Sequence, residues 1–125
     1  MIEFTVPGKP VPAVRMTQRS MYANKYAKRY LAYKWQVGWI AKSHMQGNPS
    51  SEPIGVNISL YIHGGVHGDI DNYAKSLTDS LNKIVYTDDK QIVVMNLKKM
   101  SCDKGKDRAE VSVYEVDSLN NTVNS

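Results

Sequence analysis

Hydrophobic and polar residues alternate along four segments of the chain, which is the pattern of half-buried β-strands. The segments are residues 2–6, 54–62, 91–100 and 109–114. We expect the second to be central, because its alternation is the clearest. In the third, Val93, Met95 and Leu97 are expected on one face. The last two segments flank a polar loop, residues 101–107, so we predict that they pair as an antiparallel hairpin.

Spacings of three and four predict two helices. The first begins after Asn24, a suitable N-cap, and ends by residues 47–49. Its stripe comprises Tyr26, Tyr30, Tyr33, Val37, Ile40 and Ala41, with Trp35 and Trp39 beside it. We interpret these aromatics as core packing rather than as a platform for nucleobases. The second helix is predicted over residues 72–83, with Asp71 as N-cap and Ala74, Leu77, Leu81 and Ile84 buried.

This order of elements predicts an α+β fold, with a mixed sheet of about four strands packed against two helices. A chain of 125 residues is long enough for a single domain only. We place that domain at residues 1–116. The remaining segment, residues 117–125, is rich in Asn and Ser, and we expect a flexible tail.

The charge of the chain is unevenly distributed. The net charge is +4, yet residues 9–42 contain eight basic side chains and no acidic one. Such a segment is either a solvated face or a surface for a polyanion. There is one cysteine, no apolar run of membrane-span length and no pattern of a signal peptide at the N-terminus. We therefore expect a cytoplasmic protein without membrane attachment.

Acidic residues concentrate in residues 68–91, which hold five of the chain's twelve. If Asp69 and Asp71 lie in extended backbone, they face the same way, with roots roughly 7 Å apart. Carboxylate oxygens of this kind suit Mg²⁺, and Asp88 or Asp89 could add a third ligand to an open site. Each piece alone also has a structural explanation, as a helix cap or a turn. Their joint occurrence favours metal chemistry acting on phosphate.

Lys75 lies one helical turn from Asp71 and one turn before Asp79. The spacing is equally compatible with a surface ion pair and with an ammonium that offsets charge on a phosphate. Other sites fit less well. An EF-hand starting at Asp69 would need Gly and Glu where Ala74 and Ser80 stand. His63 and His67 follow no zinc motif.

The acidic segment resembles a known family. Its motif is similar to the signature of the RusA family of Holliday junction resolvases from bacteria and their phages. The motif consists of Asp69-x-Asp71-Asn72-x-x-Lys75, then Asp79-x-Leu81, then Asp88-Asp89-x-Gln91-Ile92. The opening Pro7-Gly8-Lys9-Pro10-Val11-Pro12, with Arg15 after it, also resembles the first strand and basic loop of many members. Where many members have Arg-Pro-Arg, this chain has Ala13-Val14-Arg15-Met16.

The resemblance implies a crossover junction endodeoxyribonuclease, a magnesium-dependent homodimer that cuts four-way DNA junctions in recombination and repair, with Mn²⁺ as an alternative cation. By position, the resemblance assigns the metal to Asp69, Asp71 and Asp89 and an essential catalytic role to Lys75. Asp88 matches a recurrent neighbour rather than a ligand. We expect DNA contacts from the basic residues Lys9, Arg15, Arg19, Lys25, Lys28 and Arg29. A nuclease for other branched DNA or RNA and a non-catalytic junction-binding protein remain alternatives.

Overall fold

The computed structural model describes residues 1–15, 24–65 and 68–116, and there it shows a four-stranded mixed sheet with two helices. The strands are β1 (Ile2–Pro7), β2 (Ile54–Tyr61), β3 (Ile92–Met100) and β4 (Arg108–Glu115), in the order β1-β4-β2-β3. β4 is antiparallel to both β1 and β2, whereas β3 is parallel to β2. The predicted α+β architecture and the central position of β2 are confirmed. The predicted tail, residues 117–125, lies outside the described residues.

The predicted hairpin between the last two strands is wrong. β3 and β4 lie on opposite sides of β2, and neither pairs with the other. A helix between β2 and β3 provides the crossover that parallel strands require. β4 buries Ala109, Val111 and Val113, which suits an interior strand, whereas β3 leaves Val93 and Met95 exposed at the edge. The difference in burial follows from strand order, which alternation alone does not encode.

An irregularity at the start of β3 reverses part of the expected face assignment. Ile92 pairs with Ile54, but Val94 pairs with the next residue, Gly55, so Val93 is an extra residue opposite β2. This bulge places Ile92 on the same face as Leu97, and both pack against the core. Val93, which we expected on the face of Leu97, is instead 48% exposed.

Helix α1 (Lys25–His44) has the predicted cap, because the Asn24 side chain accepts a hydrogen bond from the Tyr26 N–H at 2.8 Å. Its buried residues are Ala27, Tyr30, Tyr33, Val37 and Ala41. The expectation that its aromatics all pack in the core is only partly right. Trp35 and Trp39 are 70% and 63% exposed, because they lie beside the buried stripe rather than on it.

Helix α2 (Ile70–Leu81) begins two residues earlier than predicted, and its N-cap position is Asp69 rather than Asp71. Asp69 has extended backbone, while Asp71 already belongs to the first helical turn. The sequence suggested that both aspartates lie in one extended segment, but only Asp69 has extended backbone. Within the described residues, no helix is long and apolar enough to cross a membrane.

Candidate active site

Helix α2 exposes a single charged row. Its buried residues, which face the sheet and α1, are Tyr73, Ala74, Ser76, Leu77, Thr78, Ser80 and Leu81. The exposed positions of the helix are Asp71, Asn72 and Lys75, and Asp79 is half-buried one turn further on. Burial of the remaining faces thus fixes the direction in which these polar side chains project. Three charged residues of the sequence motif, Asp71, Lys75 and Asp79, therefore share this row.

Lys75 forms an ion pair with Asp79 of the same helix, with 3.4 Å between Nζ and Oδ2. The same Oδ2 accepts a hydrogen bond of 3.1 Å from the hydroxyl of Tyr30 on α1. Burial and the adjacent Asp79 carboxylate raise the pKa of Tyr30, so this hydroxyl keeps its proton and acts as a donor. This geometry is compatible with a surface ion pair and also with an ammonium that offsets charge on a phosphate, since the Lys75 side chain is both paired and 65% exposed.

Asp69 and Asp71 are both exposed at the beginning of α2. The Asp69 side chain makes no capping hydrogen bond, and neither carboxylate pairs with a cation among the described residues. Their oxygens are hard ligands, and Mg²⁺ often takes only one or two carboxylates besides water and phosphate. In chemical type and exposure, the two carboxylates therefore fit ligands of a magnesium site.

Asp88 and Asp89 lie in a short turn after α2. Asp88 caps the 3₁₀ turn Asp89–Gln91, and its Oδ1 accepts a 2.9 Å hydrogen bond from the Lys90 N–H. That bond, followed by hydrogen bonding to Asp89, lowers the pKa of Asp88. Asp88 therefore has a structural role as the cap of this turn. Asp89 is exposed beside it.

Gln91 anchors this turn through its side-chain amide. Its Oε1 accepts from the Asp88 N–H at 2.8 Å and also from the Thr87 hydroxyl. Its Nε2 donates to the carbonyl oxygens of Ser50 and Glu52, both at 2.8 Å. All the main hydrogen-bonding positions of the amide are thus used. The sequence placed Gln91 in a motif but gave no sign of this anchoring role.

Tyr86 connects the turn to the end of α2. It is fully buried, and its hydroxyl donates to the Thr78 carbonyl oxygen at 2.6 Å. Its pKa is raised by burial and then by the negative charges of Asp89 and Asp79. The acidic turn therefore lies near the C-terminal end of α2, not near the end that carries Asp69.

The structure consequently separates the acidic residues into two sets. β2 runs from Ile54 to Tyr61, and the acidic turn lies beside its beginning because Ile92 pairs with Ile54. Asp69 follows the end of β2, so α2 separates the sets by its own length, about 18 Å for twelve residues. Among the described residues, no three His, Cys, Asp or Glu side chains form a group that could hold a metal. Within one chain, Asp89 thus lies about a helix length from Asp69, and its assignment to the metal stays a prediction.

The predicted basic surface is only partly described. Lys9, Arg15, Lys25, Lys28 and Arg29 are exposed, as a DNA contact requires. Arg19 lies outside the described residues, as does His67. His63, the other histidine weighed for zinc, is held in its turn by bonds to the Cys102 carbonyl oxygen and the Asp107 carboxylate, each 3.0 Å.

Comparison with known proteins places the chain in a family of DNA endonucleases. A family model for "Endodeoxyribonuclease RusA" matches residues 7–114, so the chain belongs to the RusA endodeoxyribonuclease family, which acts on Holliday junction DNA. The chain is also similar to a protein of Bacillus subtilis (strain 168) named "Uncharacterized protein YqaN". The two are 26% identical over 145 residues, covering 92% of this chain and 96% of the relative.

Proposed function

We propose that this protein is a magnesium-dependent endonuclease that resolves four-way DNA junctions by paired, symmetric cuts in recombination and repair. Family membership supports nuclease action on DNA. The observation that carries the proposal further is the charged row of α2. Asp71 and Lys75 project from a helix that is otherwise packed against the domain, so phosphate can reach them without rearrangement of the core.

Asp69 and Asp71 are the residues that would hold the cation, with Asp89 as a third ligand. The cation, Mg²⁺ or Mn²⁺, would polarise the scissile phosphate and activate water. Lys75 is proposed to stabilise the charge that develops on the phosphate or the leaving oxygen. Asp79 then keeps the ammonium over the helix face from which Asp71 also projects.

A homodimer is part of this proposal, since the two acidic sets lie at opposite ends of α2. The edge strand β3 offers a contact, with Val93 48% and Met95 39% exposed. If two β3 strands pair antiparallel about a two-fold axis, the beginning of one lies beside the end of the other. The end of β3 lies beside the end of β2, because the Ile62 N–H donates to the Met100 carbonyl oxygen at 3.1 Å. The chain continues from Ile62 to the beginning of α2, so the end of β3 marks the side of the domain where α2 begins. Such pairing would bring Asp89 of one protomer toward Asp69 of its partner.

DNA binding is assigned to the basic residues before and along α1. Two chains double the net charge to +8, that is 2 × 4, over a surface wide enough for several duplex arms. The phosphates of the junction would be neutralised by Lys9, Arg15, Arg19, Lys25, Lys28 and Arg29.

A cleavage assay tests the function. A synthetic four-way junction, its linear duplex arms, a branched DNA without the crossover and a folded RNA are each incubated with Mg²⁺ or with EDTA. We expect Mg²⁺-dependent conversion of the junction into two nicked duplexes. Cleavage of RNA or of all branched DNA would assign a different substrate, and binding of the junction without any cleavage would leave a binding protein.

A further inference from the structure

The exposed tryptophans of α1 line a groove of about 570 Å³ between α1 and the end of α2. Trp35 and Trp39 line it together with Ile84. Gly38 permits this close approach, because a Cβ at that position would lie 3.3 Å from Ile84 Cδ1. Exposed indoles of 70% and 63% on a small domain require an explanation beyond packing.

The charge around this tryptophan groove favours an anionic occupant. Lys34 and Lys42 also line it, and α1 as a whole carries five lysine or arginine residues and no acidic one. A symmetric contact between two α1 helices would bring ten cations together, and the Asp79 carboxylate that lines each groove is already paired with Lys75. The groove is therefore a poor surface for a second copy of the chain.

The groove also adjoins the proposed active site. Asp79 lines it, and the Oδ2 atom of Asp79 is the ion-pair partner of Lys75. If a phosphate of a DNA strand lies near Lys75, the nucleotides next to that phosphate would thus lie near the tryptophans. Within a duplex, the faces of the bases are covered by their stacking neighbours, so only an unpaired, unstacked base offers a face to an indole.

We propose that the tryptophan groove binds an unstacked nucleobase of a single DNA strand, next to the phosphate that is cut. The base stacks on Trp35 or Trp39, and Lys34 and Lys42 contact flanking phosphates. This inference rests on the proposed function and specifies which part of the junction the site recognises, namely strand positions that open where the arms meet.

Binding without cleavage tests the inference. A fluorescein-labelled single strand of about 15 nucleotides and the matching duplex are titrated in EDTA, with affinity read from anisotropy. We expect Trp35→Ala and Trp39→Ala each to weaken single-strand binding about fivefold or more and to change duplex binding little. The matched control is Tyr26→Ala, which removes a 53% exposed aromatic of the same helix that does not line the groove.

The Trp→Phe variants keep a stacking surface and should retain most of the single-strand affinity, which distinguishes stacking from loss of folding. Equal single-strand affinity in the wild type and both alanine variants would overturn the inference while leaving junction cleavage intact. Loss of dimerisation in the alanine variants, read by light scattering, would overturn it in favour of contact between copies. A wild type that binds no DNA would overturn the proposed function together with it.

Discussion

Tyr30 on α1 donates a hydrogen bond of 3.1 Å to Asp79 on α2, and the accepting oxygen is the one that pairs with Lys75. A largely buried hydroxyl thereby holds a carboxylate, and that carboxylate holds an exposed ammonium. A pair within one helix whose lysine is exposed contributes only about a few tenths of a kcal/mol to stability. The arrangement is therefore better suited to orienting Lys75 than to stabilising the fold.

Lys75→Ala should slow junction cleavage by several orders of magnitude without unfolding the domain. Asp79→Asn should slow it less, because the lysine remains but is no longer held. If Asp79 acts through Lys75, Asp79→Asn adds no further loss in the Lys75→Ala background. Single-turnover cleavage rates of the three variants measure this coupling.

Lys83→Ala serves as a control, since it removes an exposed lysine just after α2. Losses in rate that simply add, accompanied by a lower unfolding midpoint for Asp79→Asn, would assign Asp79 a structural role only.

Asp71→Asn and Asp89→Asn should each abolish cleavage, while junction binding persists or tightens because negative charge is removed. Mixing the two inactive variants should then restore nicking. In a mixed dimer with shared sites, one site combines an intact Asp71 from one protomer with an intact Asp89 from its partner, and the other site has lost both.

Nicked junction after subunit exchange is the expected product, at up to half the wild-type rate per mixed dimer, since one of two sites is restored. If the mixture stays inactive although mixed dimers are shown to form, each site is built within one chain, and the proposed arrangement of β3 strands is wrong.

Gln91→Ala should destabilise the domain by about 1–3 kcal/mol, because it removes bonds that join the acidic turn to residues 50–52. Urea denaturation measures the change. Gln91→Glu should also be destabilising, since a carboxylate keeps the acceptor but loses both donors. Lys90→Ala, at the exposed neighbouring position, should stay within about 0.5 kcal/mol of the wild type. Equal stability of Gln91→Ala and Lys90→Ala would contradict the anchoring role.

Replacing Arg15 and Arg19 together by Ala should flatten the salt dependence of junction affinity. Each phosphate contact contributes about 0.9 to the slope of log affinity against log salt, so two lost contacts reduce it by roughly 1.8. Lys104→Ala with Lys106→Ala removes the same charge from the loop between β3 and β4 and should leave the slope nearly unchanged. A slope that changes equally in both double variants would indicate an effect of net charge alone.

The sequence predicts the elements of this fold well, because alternation and helical spacing are local properties. Local patterns predict Asn24 as a cap, β2 as the central strand and the buried stripe of α2. The pairing of strands does not follow from such patterns. The parallel partner of β2 lies beyond a helix, and Val93 shifts the register by one residue, so neither was evident from alternation.

The candidate site is predictable in its residue types and less so in its geometry. The motif identified Asp69, Asp71 and Lys75, and the structure exposes all three. Asp89 was assigned by resemblance, and nothing in the spacing reveals that the length of α2 intervenes. The anchoring contacts of Gln91 and Tyr30 join segments about forty to fifty residues apart, which no local pattern records.

Because α2 separates the two acidic sets, the nuclease activity is expected to depend steeply on the concentration of the chain. If a working centre needs Asp69 and Asp71 from one protomer and Asp89 from another, a lone chain is an incomplete nuclease. At concentrations well below the dissociation constant of the dimer, the concentration of active enzyme rises with the square of the chain concentration. A cell with few copies would then carry chains that are almost harmless to its own DNA, and a modest rise in synthesis would switch on cutting steeply.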